Sequence, residues 1–391
     1  MNRFISLIKS GLIFIKAKIF MFIFGFFSID NNKIFVSNFD GKGYGENPAA
    51  VCDELLKRNI DLKIYWVVND INDNSIPKEI IKVKNNSIKY FYHLRTAKVW
   101  LKNKRSNIEI TKRKNQYYIQ LWHGPIGMKK IEKDCEQLLN KFYVKAAKKD
   151  SKYIDLMISN SNHFTSICEK SFWYSGKVEK LGTPKNDILI NTNEHNKIIK
   201  KVKNEFNIKD EKILLYAPTF RDDHSMDAYD IDLVKIQKEL KKIYNEDYVV
   251  FVRMHPNVSE LNLAKLIKNN KIINVSKYPD INDLLIASDI LISDYSSIMF
   301  DYALMKKKVF LYISDLKDNK RGFYFDIKEL PFSLATNTSD LLNDIKSFDN
   351  ETYLKKLNNF YNKLELFEDG KASKRLADII IKVVGGKIGK E

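Results

Sequence analysis

Cysteine is nearly absent from this chain: three residues in 391, Cys52, Cys135 and Cys168, with no close spacing. An odd, scattered set excludes a disulfide framework and a cysteine-built zinc site, and suits a reducing compartment. Acidic side chains are too few to balance the basic ones, and the net charge is +17. That excess favours an anionic partner, although lysine recurs everywhere in the chain and part of the charge is a general bias. Long hydrophobic runs are missing too. The longest, residues 19–29, is only half of the roughly 20 residues a spanning helix needs. No small-residue cleavage site follows it, so a removed signal peptide is not expected. Internal repeats, low-complexity tracts and the Walker and dinucleotide glycine spacings are also lacking. So is the aromatic-basic pattern of a single-strand binding surface, and no nucleic-acid partner is expected.

What is present begins with residues 4–29, dominated by Phe, Ile and Leu and interrupted by Lys9, Lys16 and Lys18. Apolar bulk with lysines predicts a helix lying in the interface of the cytoplasmic leaflet, drawn to anionic headgroups. A tilted spanning helix with snorkelling lysines is the alternative. Residues 1–30 are therefore read as a membrane-associating segment.

From Lys33 onward, short apolar runs alternate with helix-length amphipathic segments. Strands are predicted at 34–36, 64–68, 99–101, 119–121, 156–158 and 178–180, then at 213–217, 249–253, 272–275, 290–293 and 309–312. Helices are predicted at 48–58, 233–244 and 281–287. Fully apolar strands separated by helices mean parallel sheets covered on both faces. The expected fold is α/β, with two doubly wound domains facing one another across a cleft. A polar stretch, residues 191–210, marks the boundary. The expected division is 31–195, an acceptor domain; 196–345, a nucleotide-binding domain; and 346–391, helices packing back on the core.

Polar motifs cluster at the predicted strand ends, where open parallel sheets bind ligands. Ser293-Asp294-Tyr295-Ser296-Ser297 follows one strand and precedes a helical run, which suits phosphate binding by Asp294, Tyr295, Ser296 and Ser297. Arg253-Met254-His255-Pro256 leaves another, with Pro256 holding its predecessor extended so that His255 is displayed beside Arg253. Arg221, beyond Ala217-Pro218-Thr219-Phe220, and Arg321, before Gly322-Phe323-Tyr324, are candidates to fork onto phosphate oxygens. In the first half, Gln120-Leu121-Trp122-His123-Gly124-Pro125 ends a strand at a histidine followed by a turn, with Lys129 and Lys130 shortly after. A histidine facing a cleft is a natural general base for a hydroxyl. The glycines of Gly41-Lys42-Gly43-Tyr44-Gly45 bring backbone close to a ligand but are a weak signal alone. His93, His163, His195 and His224 are read as solvated or capping, and Asp230-Ile231-Asp232 as an exposed helix start; no metal is assigned.

Together these residues resemble the CDP-glycerol glycerophosphotransferase family, bacterial enzymes that build teichoic acids and some capsules. The likeness covers residues 33–381 and includes Asn47-Pro48, the Trp-His-Gly segment, Gly182-Thr183-Pro184-Lys185-Asn186-Asp187, the strand-end motifs, and Asp369-Gly370-Lys371-Ala372-Ser373 with Arg375. Pro125-Ile126-Gly127-Met128 is one residue longer than the commonest family form. The resemblance implies a GT-B arrangement with the nucleotide in the C-terminal domain, no metal or other cofactor, and attachment to the cytoplasmic face of the bacterial membrane. It also implies two essential histidines, here His123 and His255. The expected reaction is attack of an acceptor hydroxyl, activated by His123, on the β-phosphorus of CDP-glycerol, releasing CMP. His255, Arg221, Arg321, Ser296 and Ser297 would hold the diphosphate. The acceptor would be a lipid-linked glycan or glycerol-phosphate chain. By analogy the compact form resembles the primases of the family, while its polymerases and ribitol-phosphate enzymes share the same core, and the sequence does not choose between them. A ribitol-phosphate transferase of the same family and a GT-B glycosyltransferase using a nucleotide sugar are the alternatives; a non-catalytic basic protein is a further one.

Overall fold

The structure is a computed structural model describing residues 2–106, 110–124, 126–219, 229–254, 266, 267, 269–315 and 322–385, with only the backbone described for residues 2–10 and 12. The candidate residues Arg221, His255 and Arg321 lie outside the described residues. The chain forms two compact units, one comprising Met1–Pro125, Ile131–Asp187 and Phe367–Glu391, the other Ile126–Lys130 and Ile188–Leu366.

The first unit is built on a parallel sheet of β1 (Asp30–Ser37), β2 (Lys63–Val68), β3 (Ile81–Lys84), β4 (Ala97–Lys102), β5 (Tyr117–Gln120), β6 (Leu156–Ser159) and β7 (Lys177–Lys180), in the order β3-β2-β1-β4-β5-β6-β7. The order reverses between β1 and β4, which pair with Ile34 beside Val99 and Val36 beside Leu101. Ile34, Phe35 and Val36 of β1 and Val99, Trp100 and Leu101 of β4 are fully buried, so both faces of the sheet are covered there, as crossover helices require. One face packs on the helix Glu46–Lys57 and on the late helix Ala372–Val383, whose Leu376, Ala377 and Ile380 are completely enclosed. Burying Leu376 and Ile380 contributes roughly 1.5–3 kcal/mol each, enough to hold a distant chain end on this sheet.

The second unit repeats the plan with β8 (Lys212–Tyr216), β9 (Tyr248–Val252), β10 (Ile272–Asn274), β11 (Ile290–Ser293), β12 (Lys308–Tyr312) and β13 (Ser333–Ala335), all parallel, in the order β10-β9-β8-β11-β12-β13. Here the reversal lies between β8 and β11.

The predicted strands are all present; the sequence reading missed β3 and β13, short edge strands whose exposed or half-exposed residues hide the apolar signal. The division differs from the expected one. It falls at Asp187/Ile188, and residues 191–210 lie within the second unit: His195–Glu205 is a helix burying Ile198 and Val202 in that unit's core beneath a lysine-rich outer face. The tail also divides. Helices Thr338–Lys346 and Asn350–Leu364 belong to the second unit and Ala372–Val383 to the first.

At the amino terminus, helix Asn2–Ile23 runs into a 3-10 turn, Phe24–Phe26. Ala17 and Met21 are buried, and Phe20 and Phe24 pack on Phe91 and Tyr92 of the helix Ile88–Thr96. Ile15, Ile19, Phe22, Ile23, Phe26 and Phe27 are exposed. Among the described residues, no helix is long and apolar enough to cross a membrane.

Candidate active site

In each unit, the place to look is beyond the strand C-termini where the strand order reverses, because adjacent connections leave there in opposite directions and open a crevice. In the first unit that place is occupied by His123. The chain leaves β5 through Trp122, whose φ of +50° is left-handed, a conformation costing a bulky residue about 1–3 kcal/mol. The turn sets the His123 ring against the Trp122 indole, centroids 4.5 Å apart, and against Phe39 beyond β1 at 5.1 Å. Nδ1 lies 2.7 Å from the carbonyl oxygen of Asn103, the residue after β4. A carbonyl only accepts, so Nδ1 carries the proton and donates, leaving the lone pair on Nε2. Burial lowers the imidazole pKa, against the opposing pull of the Asn103 carbonyl and of Glu46; Lys185 and Lys104 lower it further. A neutral ring with a basic Nε2 at neutral pH follows, the form a proton acceptor needs.

The surrounding loops are tied together by asparagines. Asn103 Oδ1 accepts from the Phe39 N–H at 2.9 Å, and its Nδ2 donates to Asn38 Oδ1 at 2.7 Å. Asn38 in turn donates to the carbonyls of Lys42 and Gly43, fixing the glycine loop. Gly41, at φ +97°, has no room for a side chain, since a Cβ would sit 2.9 Å from the Asn69 nitrogen. Asn47 donates to the carbonyls of Leu121 and Trp122 and accepts from the Lys185 N–H at 3.1 Å. The Lys185 ammonium pairs with Glu46 at 3.1 Å. Farther along, the Asp187 carboxylate accepts the N–H groups of Ala372 and Ser373, and Glu368 accepts from Asn160 and Thr183, so the late Asp-Gly-Lys-Ala-Ser stretch anchors the 182–187 loop. Asn103, Glu46 and Lys185 were missed as site residues in the sequence; Asn103, just past an apolar strand, carried the same strand-end signal as His123.

In the second unit the reversal point is closed by Asp294. Its carboxylate accepts from the Thr219 backbone N–H at 2.9 and 3.0 Å and from the Thr219 hydroxyl, joining the loops after β8 and β11. Arg253 points its guanidinium at backbone, donating to the carbonyls of Tyr278 at 2.8 Å and Val275 at 3.3 Å. Both residues brace loops. Ser296 and Ser297 are half-buried at the start of helix Ile298–Ala303; the Ser296 hydroxyl accepts from the Ile298 N–H, and Ser297 makes no side-chain cap.

Lys129 and Lys130 come to the same region from the first half of the chain. Residues Ile126 and Met128 are buried in the second unit's core, and the strip pairs antiparallel with 322–324: Lys130 N–H donates to Gly322 O at 3.0 Å and Tyr324 N–H to Met128 O at 2.9 Å. This places the Lys129 ammonium 4.9 Å from the centre of the Tyr295 ring, which stacks on Phe323 at 5.4 Å. Gly322 adopts φ +74°, and a Cβ there would sit 3.4 Å from Lys130 Cδ. So Lys129, Lys130, Tyr295, Ser296, Ser297 and Gly322 share one region of one unit. Such a cationic, hydroxyl-bearing region suits phosphate oxygens. Among the described residues, no group of three or more His, Cys, Asp or Glu could hold a metal ion.

The family described as CDP-glycerol:poly(glycerophosphate) glycerophosphotransferase matches residues 19–382. A teichoic acid poly(glycerol phosphate) polymerase of Staphylococcus epidermidis is 32% identical over 89% of this chain and 50% of its own length. A teichoic acid glycerol-phosphate transferase of Staphylococcus aureus is 32% identical over 90% of this chain and 94% of its own. The chain thus spans about half of the first of these relatives and nearly all of the second. Among solved structures, the wall teichoic acid polymerase TagF, as a histidine-to-asparagine variant soaked with CDPG, superposes with a TM-score of 0.84 at 28% identity, covering 98% of both chains. This chain belongs to the CDP-glycerol:poly(glycerophosphate) glycerophosphotransferase family.

Proposed function

We propose that this protein transfers glycerol phosphate from CDP-glycerol to a hydroxyl of a membrane-linked acceptor in teichoic acid or capsule-type polymer synthesis, releasing CMP. The observation that carries the reading is His123: a half-buried imidazole at the first unit's reversal point, with Nδ1–H committed to Asn103 and Nε2 left basic. Family membership supports the proposed substrate class.

In the proposed reaction, Nε2 of His123 takes the acceptor hydroxyl proton as that oxygen bonds to the β-phosphorus. The bond from the β-phosphorus to the bridging oxygen breaks, and CMP departs with that oxygen. Phosphoryl transfer calls chiefly for positioning and charge stabilisation. Lys129 and Lys130, with the hydroxyls of Ser296 and Ser297, are proposed to receive the diphosphate, joined by His255, Arg221 and Arg321. Asp294 and Arg253 act in this reading by holding the loops. The GT-B class, with the nucleotide on the second unit and cationic side chains in place of a metal, is part of the same proposal. So is attachment to the cytoplasmic face of the membrane, supported by the exposed Ile15, Ile19, Phe22, Ile23 and Phe26 beside Lys16 and Lys18.

The test incubates purified protein with CDP-glycerol, CDP-ribitol or UDP-sugars and short lipid-linked acceptors, and identifies the nucleotide released. CMP from CDP-glycerol alone is expected. CMP only from CDP-ribitol would reassign the alditol, and UDP release would replace the reading with glycosyl transfer.

A further inference from the structure

Beneath His123 runs a chain of buried polar side chains that the proposed reaction leaves without a role. Gln120, the last residue of β5 and fully buried, accepts the Trp122 N–H through Oε1 at 3.0 Å and donates through Nε2 to the Tyr118 hydroxyl at 2.9 Å. Tyr118 donates to Asp150 Oδ2 at 3.4 Å. Arg105, 2% exposed, donates to the same oxygen at 3.0 Å and to the Phe172 carbonyl at 3.0 Å, and its Nε lies 3.4 Å from Glu132 Oε2. The Phe172 ring returns to Trp122, meeting the indole edge-on at 4.7 Å.

Burying an arginine between two carboxylates gives little net stability over a well-packed apolar cluster, so stability alone is a weak reason for such a chain. What it does provide is a fixed hydrogen-bond direction. It ends on the Trp122 N–H, where the chain leaves β5 in a left-handed conformation. Without an acceptor there, the N–H would be orphaned and Trp122 would relax toward an extended backbone. His123, the next residue, would then swing off the Asn103 carbonyl.

We propose that Gln120 is a positioning residue for His123: its amide, held by Tyr118 and the Arg105–Asp150 pair, fixes the left-handed Trp122 and thereby the imidazole's orientation and tautomer. The inference rests on reading His123 as the base. It is tested on full-length protein with ¹⁵N-labelled histidine, the His123 ring signals being assigned by loss in His123→Asn. The native protein should show Nδ1 protonated and Nε2 bare. Gln120→Leu keeps the volume but removes both hydrogen bonds; it should mix the tautomers and lower kcat for CMP release about a hundred-fold, with KM for CDP-glycerol unchanged within about two-fold. Gln120→Glu still accepts from Trp122 and should restore the single tautomer and most of the rate. A folded Gln120→Leu with native ring signals and kcat would overturn the proposal, as would a Gln120→Glu variant equally impaired. Should Gln120→Leu not fold, Tyr118→Phe decides, because it removes only the hydroxyl supporting the amide; an unaltered ring spectrum there would also overturn it. If native protein releases no CMP, the base assignment fails, while the ring-nitrogen comparison still decides the role of Gln120.

Discussion

The two reversal points use the same kind of polar strand-end residue in opposite ways. In the first unit, backbone carbonyls and asparagine amides satisfy one another, and the titratable group, His123, keeps one ring nitrogen out of that network. In the second, the charged groups are engaged by the protein: Asp294 by Thr219, Arg253 by the carbonyls of Val275 and Tyr278. The lesson is that a charge at a strand end is not by itself a ligand contact. A buried charge must first be satisfied, and whichever loop lies nearest supplies the partner. The groups proposed to meet phosphate, Lys129, Lys130 and the serine hydroxyls, are instead carried on half-buried or exposed positions.

This contrast can be broken by substitution. His123→Ala should produce the largest effect, lowering CMP release by about a hundred- to ten-thousand-fold while calorimetric binding of CDP-glycerol and the melting temperature stay near native. Retained activity would remove the base assignment and the contrast with it. Asp294→Ala should act in reverse. Removing the carboxylate that accepts the Thr219 N–H and hydroxyl should cost about 2 kcal/mol of stability in denaturant unfolding, and donor binding should weaken only through the loosened loop. A variant with native stability and lost binding would make Asp294 a direct ligand.

Lys129→Gln should sharpen the second half of the contrast more modestly. Loss of one charge-assisted contact should raise KM for CDP-glycerol about ten-fold, and the salt dependence of KM should flatten. The smallest effect concerns acid. Burial, aided by Lys33 and Lys89, lowers the His93 pKa from 6.5 to about 4. Between these values the unfolded chain binds a proton that the folded chain refuses, so this residue makes stability fall as pH drops through that window. His93→Gln should remove that part of the slope, measured as urea midpoints across the window. An unchanged slope would show that His93 titrates normally in the folded first unit.

Much of the architecture was legible beforehand because its signals are local. Runs such as 249–252 and 290–292 are apolar throughout, which a strand covered on both faces requires, and the motifs at their ends could be placed by position alone. Edge strands β3 and β13 escaped because their residues face solvent in part. The helix His195–Glu205 read as the domain boundary because only Ile198 and Val202 of it are buried. In the site, His123 was legible as a histidine before a Gly-Pro turn. Gln120, Tyr118, Asp150 and Arg105 were not, since each looks ordinary until the fold stacks them.

The order of residues alone determined two parallel sheets, the positions of their strand ends and the chemistry displayed there, because hydrophobic periodicity and turn residues act over a few positions. Tertiary structure alone decided which polar atoms remain for a substrate. Thr219 meets Asp294 across 75 residues, Thr183 meets Glu368 across 185, and residues 126–130 leave the unit that precedes them to pair with 322–324. Hydrogen-bond satisfaction is a property of neighbours in space, and no local pattern along the chain encodes it.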